Sequence, residues 1–251
     1  MKLTPVNNFC IVESVYGKFV LSRHCQYHAE QMIKSGLTHI PHEINKLTAI
    51  LDTLPENCVI VDAGANIGMY AVPMARAVEE KGGKVYGFEV QKRLFYALCG
   101  TIALNDLECL DVFNTGLGDK EDTLSMPKVD YSVPWDYGCL SLVDQDNIKN
   151  QEFETVDITT IDNLELERLD FVKIDVEGME LKVLAGGEHT IRQHRPYFWI
   201  EFYNVDTAKL KAWFDGMDYT IYQVSGADIL CAPNEKLAAS GLKLNYPLFL
   251  K

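Results

Sequence analysis

The residues in this sequence best suited to chemistry are carboxylates that close β-branched runs and glycines spaced for a tight turn. The run Val59–Val61 stops at Asp62 and leads into Gly64-Ala65-Asn66-Ile67-Gly68. Glycine lets a backbone approach a ligand closely and adopt positive φ. A helix opening near Ile67 would point its free amides at a carboxylate or a phosphate. Glu89 closes a second run, Lys84–Phe88, where an acidic side chain can accept two ribose hydroxyl protons. Asp175 closes the run Phe171–Ile174, and Glu201 closes Tyr197–Ile200. Lys173 shares a strand face with Asp175 by the two-residue alternation, and Glu177 follows two residues later.

The loop separates two kinds of nucleotide ligand. A dinucleotide fingerprint requires Gly-x-Gly-x-x-Gly, but here Asn66 stands where a pyrophosphate favours glycine. Asp62 would also face anionic phosphates, whereas it suits the ammonium and cationic half of S-adenosylmethionine. The loop therefore predicts a methyl donor. Among the carboxylates, Asp175 is the leading general base, because it ends a central strand beside the expected methyl position. A base there is worth roughly 10²–10⁴-fold in rate when the acceptor is a neutral hydroxyl. Glu177 is a second candidate or a helix-start carboxylate interacting with the dipole. Glu201 suits substrate binding or base duty, and Lys173 suits a structural ion pair or an orienting role. Glu43 is placed to reach the donor's amino group, or to serve its helix start. His189 reads as a surface residue.

His24, Cys25, His28, His39 and His42 are crowded, but they form no recognisable ligand motif and read as a packed segment. Asp175 and Glu201 could share a divalent ion, yet the sequence offers no third ligand. No metal is expected.

Strand and helix patterns alternate around these positions, which implies a largely parallel, doubly wound sheet with right-handed crossovers. Helices are expected over about 26–34 and after Pro41, where Ile44, Leu47, Leu51 and Leu54 share a face. Pro73 is costly inside a helix that begins near Ile67 unless that helix starts late or kinks. Lys92–Leu104 reads as a helix and Leu110–Asn114 as a strand. Tyr219–Val224 and Ile229–Ala232 flank the turn Ser225-Gly226-Ala227-Asp228, which is hairpin chemistry and predicts an antiparallel final strand. The stretch from Thr115 to Asp170 is far longer than a crossover needs. It carries Tyr131, Trp135, Tyr137, a Gly138–Leu142 segment and a strand-like Glu154–Thr159, so it either builds a substrate site or covers the sheet. The organisation expected is a helical extension over 1–57, a core over 58–233 with an insertion at about 120–160, and a tail over 234–251.

The net charge of −13 disfavours a protein that grips phosphate backbones. No apolar run is long enough to span a bilayer, and the first residues lack the apolar core of a signal peptide. Seven scattered cysteines suit reduced thiols, so the expected compartment is the cytoplasm.

The sequence resembles the FkbM family of methyltransferases. The resemblance rests on Val61-Asp62-Ala63-Gly64-Ala65-Asn66-Ile67-Gly68, Gly87-Phe88-Glu89, Asn105 and Thr160-Ile161-Asp162-Asn163-Leu164. It continues through Lys173-Ile174-Asp175-Val176-Glu177-Gly178-Met179-Glu180, Arg195-Pro196 and Ile200-Glu201. It covers about residues 40 to 201, and the order and spacing of the pieces make it specific. Val90-Gln91 departs from the proline that usually follows the acidic residue of strand two. The resemblance implies a class I methyltransferase fold, S-adenosylmethionine as cofactor, and a hydroxyl on a sugar, glycan or secondary metabolite as acceptor. Asp62, Gly64, Ala65, Asn66 and Gly68 would hold the methionine part, with Glu89 on the ribose. Val90 and Thr115–Asp119, Gly116 among them, would flank the adenine, and Asp175 would border the methyl. The alternatives are an N-methyltransferase acting on a small amine and a cofactor-binding regulatory protein without turnover.

Overall fold

The computed structural model describes residues 8–25, 28–38, 40–140 and 152–240. The N-terminal region begins with a hairpin that the helical expectation for 1–57 missed. Strands β1 (Phe9–Ser14) and β2 (Gly17–Ser22) pair antiparallel around Val15-Tyr16. Helices α1 (His28–Ser35) and α2 (Pro41–Leu51) follow, with proline at the start of α2, where its missing N–H costs nothing. The core then runs β3 (Val59–Ala63), α3 (Ala71–Glu79), β4 (Lys84–Phe88), α4 (Lys92–Asn105) and β5 (Leu110–Phe113). An insertion supplies β6 (Gly116–Leu117), β7 (Asp122–Pro127) and β8 (Phe153–Thr159), and the chain returns through β9 (Phe171–Ile174). Helices α5 (Glu180–Gly186) and α6 (Glu188–His194) lead to β10 (Tyr197–Glu201) and α7 (Thr207–Asp215). The pair β11 (Tyr219–Gln223) and β12 (Asp228–Pro233) is followed by α8 (Asn234–Ser240), the described part of the expected tail.

Seven strands form the main sheet in the order β11-β12-β10-β9-β3-β4-β5, with β12 alone antiparallel to its neighbours. The expected hairpin is thus the sheet's closing element. The chain builds outward from β3 through β4 to β5, then returns to β9 on the other side of β3. That reversal opens a crevice at the carboxyl ends of β3 and β9, where doubly wound sheets bind ligands. Alternation along β3 sends Ile60 to a core shared with α2, α3 and α4, and Val61 to a core shared with α5, α6 and α7. Two helical layers therefore clamp the sheet and fix its strand ends.

The helix after the glycine loop starts at Ala71, four residues later than the sequence suggests. This resolves the difficulty with Pro73, which lies in the first turn, where amides have no intrahelical acceptor. The intervening residues form a turn in which Gly64, Asn66 and Gly68 all have positive φ. The insertion is a three-stranded sheet, β6-β8-β7, so the segment between strands has its own backbone pairing.

The hairpin is tied to α4 by two side chains of that helix, Asn105 and Thr101, whose Oγ1 accepts from Val20 N at 3.0 Å. Asn105 Oδ1 accepts from Lys18 N at 2.9 Å, and its Nδ2 donates to Lys18 O and Thr101 O at 2.6 and 2.7 Å. Asn105→Ala should leave these groups unpaired at a cost of about 2–3 kcal/mol. The unfolding midpoint is expected to fall by roughly 5–10 °C. A melting curve that matches the wild type would show that the Thr101 bond and the apolar contacts hold the hairpin without Asn105.

Candidate active site

A cavity of about 550 Å³ lies at the carboxyl ends of β3, β4, β9 and β10, under the 136–140 segment of the insertion. The glycine loop forms its floor. At Gly64, φ is +85°, and a Cβ there would lie 1.8 Å from the backbone oxygen of Asp175. The loop can pass beneath the end of β9 only because that atom is missing. Asn66 adopts φ +50°, a region its short amide tolerates, and its Oδ1 accepts from Ile67 N at 2.8 Å. Gly64 and Asn66 line the cavity, while Ala65 and Gly68 shape the turn from behind.

Glu89 enters from the end of β4. Its carboxylate accepts from Asn66 N at 2.8 Å and from Gln91 N at 2.7 Å, so the second strand locks the glycine loop. Burial pushes its pKa up to about 7 against the pull of those two amides. Beside it, Val90, Gly116, Leu117 and Ile158 make an apolar wall. A Cβ on Gly116 would lie 2.6 Å from Ile158 and 2.8 Å from Val90, so no side chain fits at this position without displacing the wall. Here the departure at Val90-Gln91 has a structural use. Gln91 Nε2 donates to Tyr137 O at 2.6 Å, and its Oε1 accepts from Tyr131 at 2.8 Å. Gln91 thus anchors the insertion over the cofactor loop, and Gly138 comes within a Cβ's reach of the Asn66 amide. Sequence alone does not mark Gln91 or Asp136 as site residues, whereas Gly138 opens the segment of the insertion expected either to build a substrate site or to cover the sheet.

Three carboxylates meet at the other end. Asp175, Glu177 and Glu201 bring ligand atoms within 4.8 Å of one another, so Glu177 supplies the third group that the sequence did not reveal. Glu177 sits in a turn at φ +51° before α5 rather than inside that helix, and it accepts from Asn204 Nδ2 at 2.8 Å. Burial and the neighbouring Asp175 push its pKa up to about 7, and the same two causes raise Glu201. Asp136 faces them from the insertion.

Lys173 is 1% exposed and donates to Asp175 Oδ2 at 3.0 Å, which joins the expected ion pair. Its Nζ lies 4.4 Å from the centre of the Tyr70 ring. Asp62 has no exposed surface and is not among the residues that line the cavity, and neither of its carboxylate oxygens receives a hydrogen bond. Burial pushes it up to about 6, with Lys173 pulling the other way. Lys173 itself reaches the cavity only through Asp175. Glu43 is half-buried near Tyr70 and also does not line the cavity, because α2 packs behind the loop rather than over it. His189 is exposed, and its backbone N–H donates to Asp162. His24 and His42 take no part in an acidic or metal-type cluster among the described residues, and the side chains of His28 and His39 lie outside them. Ser141 and Leu142 of the aromatic insertion also fall outside the described residues.

The seven cysteines, all among the described residues, form no disulfide. No helix among the described residues is long and apolar enough to cross a membrane.

The Methyltransferase FkbM domain matches residues 62–221. The crystal structure of methyltransferase FkbM from Methylobacillus flagellatus is similar, with a TM-score of 0.52 at 19% identity. The match covers 71% of this chain but 44% of that one, so the present chain aligns with less than half of its relative's length. An rRNA methylase from Streptococcus thermophilus aligns with a TM-score of 0.44 at 14% identity, over 77% of this chain and 92% of that one. No curated protein matches the sequence. With the match spanning most of the sheet and both halves of the cavity, the chain belongs to the FkbM family of methyltransferases, which has a class I Rossmann-like fold and S-adenosylmethionine as its methyl donor.

Proposed function

We propose that this chain transfers a methyl group from S-adenosylmethionine to a hydroxyl on a sugar, glycan or secondary-metabolite acceptor in the cytoplasm. The observation that carries the reading is Asp175. It lines the cavity beside Gly64, is oriented by a buried lysine, and shares that cavity with the Glu89 carboxylate at the far end. The residues fit the donor: Glu89 offers its remaining lone pairs to the ribose hydroxyls, Gly64 and Asn66 border the methionine part, and Val90 and Gly116 hold the adenine. When bound, the cofactor supplies a methyl group on an electrophilic sulfonium. With the donor bound, Asp175 would take the acceptor's hydroxyl proton as the oxygen–carbon bond forms and the sulfur–carbon bond breaks, leaving S-adenosylhomocysteine, while Glu177 and Glu201 would hold the acceptor in line. The charge of −13 supports a small acceptor over a nucleic acid.

One observation favours a second reading, methylation of an amine. Among the described residues, no lysine, arginine or histidine lines the cavity, whereas Asp136, Asp175, Glu177 and Glu201 do. An ammonium group would compensate that charge, and a deprotonated amine needs no strong base.

Calorimetric titration with S-adenosylhomocysteine tests the donor site, with reduced nicotinamide dinucleotides as controls. Micromolar binding is expected, weakened roughly 100-fold in Glu89→Ala, because two hydrogen bonds to a charged carboxylate are lost. Glu89 takes up a proton as pH falls through about 7, so wild-type affinity should be weaker at pH 6 than at pH 8. A preference for the dinucleotide, or unchanged binding in Glu89→Ala, would overturn the assignment.

A further inference from the structure

We infer, on the reading of the cavity as the donor site, that Gln91 is a positioning residue that latches the 131–140 segment over the glycine loop and so governs how fast the methyl donor is released. Gln91 is 4% exposed and stands immediately before α4, yet it gives that helix no side-chain cap. Its amide turns to the insertion instead, donating from Nε2 to Tyr137 O at 2.6 Å and accepting at Oε1 from the Tyr131 hydroxyl at 2.8 Å. A backbone carbonyl can only accept, so Tyr137 fixes which end of the amide faces it, and Tyr131 satisfies the other end. The backbone of the same residue serves the donor side. Gln91 N–H donates to Glu89 Oε1 at 2.7 Å, while Asn66 N–H donates to Oε2 at 2.8 Å. One residue therefore touches both the carboxylate assigned to the ribose and the roof above it.

The roof is a connected piece. Tyr131 and Tyr137 lie against each other with ring centroids 4.7 Å apart, so the two bonds to Gln91 hold both sides of one aromatic pair. Directly after Tyr137, Gly138 comes so near the glycine loop that a Cβ would lie 2.9 Å from Asn66 Nδ2. Leu140 then packs on the small core of Met126, Val156 and Ile158, as Val90 does, at the wall assigned to the adenine. A donor seated between Glu89 and that wall lies beneath this segment, so whatever holds the segment down opposes its release. Lifting the segment strips both partners from a buried amide at once, and such groups are costly to leave unpaired.

The test measures release of S-adenosylhomocysteine by surface plasmon resonance on the immobilised protein, and hydrogen exchange of the 131–140 peptides by mass spectrometry. Gln91→Met keeps the side chain's length and the backbone N–H on Glu89 but removes both bonds to the roof. It should release the ligand about tenfold faster or more, with faster exchange in the segment. Tyr131→Phe removes one bond and should fall between Gln91→Met and the wild type. Asn105→Ala, at the opposite end of α4, is the control for lost stability and should release the ligand at the wild-type rate. A glutamine that only supports the fold would lower the unfolding midpoint without changing release. Wild-type release from Gln91→Met, or equal acceleration in Asn105→Ala, therefore overturns the inference. If Gln91→Met does not fold, Tyr131→Phe decides by the same two readouts. If the wild type fails to bind S-adenosylhomocysteine, the donor assignment falls, and the claim about release falls with it. Exchange in the free protein then shows separately whether Gln91 holds the segment down.

Discussion

Replacing Lys173 with methionine is expected to lower the unfolding midpoint at pH 8 by roughly 10–15 °C, with a deficit that shrinks on acidification. Methionine keeps most of the side chain's volume but leaves Asp62 and Asp175 without their shared cation. Removing one partner of a buried ion pair costs about 3–5 kcal/mol, because the remaining charge stays buried. The sign of the pH effect follows from Asp62. Its pKa in the folded protein, about 6, lies above its ordinary 3.8, so the folded state binds this proton more tightly. The stability it contributes is complete below about pH 4 and is lost as pH rises through 6. Without Lys173 the carboxylate is pushed higher still, and the deficit at pH 8 exceeds that at pH 5.5. Lys173→Met combined with Asp62→Asn should recover part of the loss, since one uncompensated carboxylate has gone. Thermal unfolding of the three proteins at both pH values reads all of this. An equal loss at both pH values would mean that Lys173 matters for packing under Tyr70, not for charge.

Local pattern carried much of this architecture. Val59–Val61, Lys84–Phe88 and Phe171–Ile174 are β-branched or apolar runs bounded by turn residues, and each became a strand of the parallel sheet. Their terminal carboxylates, Asp62, Glu89 and Asp175, were visible for the same reason. What a strand end does not encode is the direction of its side chain relative to neighbouring strands. Asp62 and Asp175 look alike in sequence, yet register with Lys173 buries the first and leaves the second at the cavity wall. The N-terminal hairpin escaped notice because its strands are short and its partner, α4, is far away in sequence. Long-range contact also explains Gln91 and Gly138, whose roles exist only once the insertion folds back over Asn66. The convergence of Glu177 with Asp175 and Glu201 depends on a left-handed turn at Glu177, which its residue type does not announce.

Gly64→Ala should abolish measurable S-adenosylhomocysteine binding and lower stability, whereas Gly116→Ala should do much less. Two independent costs meet at Gly64. Its φ of +85° lies where a Cβ is strained, and the added carbon would fall 1.8 Å from the Asp175 backbone oxygen. Backbone cannot rotate away as a side chain can, so the loop must lift off β9. The left-handed conformation costs about 1–2 kcal/mol, and overpacking adds typically 1–3 kcal/mol. Lifting the loop also pulls Asn66 N away from Glu89, which unlocks the ribose end while disturbing the end that Asp175 borders. At Gly116 the same methyl crowds side chains rather than backbone, Ile158 Cδ1 and Val90 Cγ1, while the nearest backbone atom, Asp157 O, lies at an ordinary 3.9 Å. That variant should fold normally and bind the ligand less tightly, by roughly tenfold, as the adenine wall closes. Calorimetry and melting curves on the pair decide between backbone approach and simple crowding. Equal losses in both would mean that cavity width governs binding, and that the passage of the glycine loop beneath β9 is incidental to it.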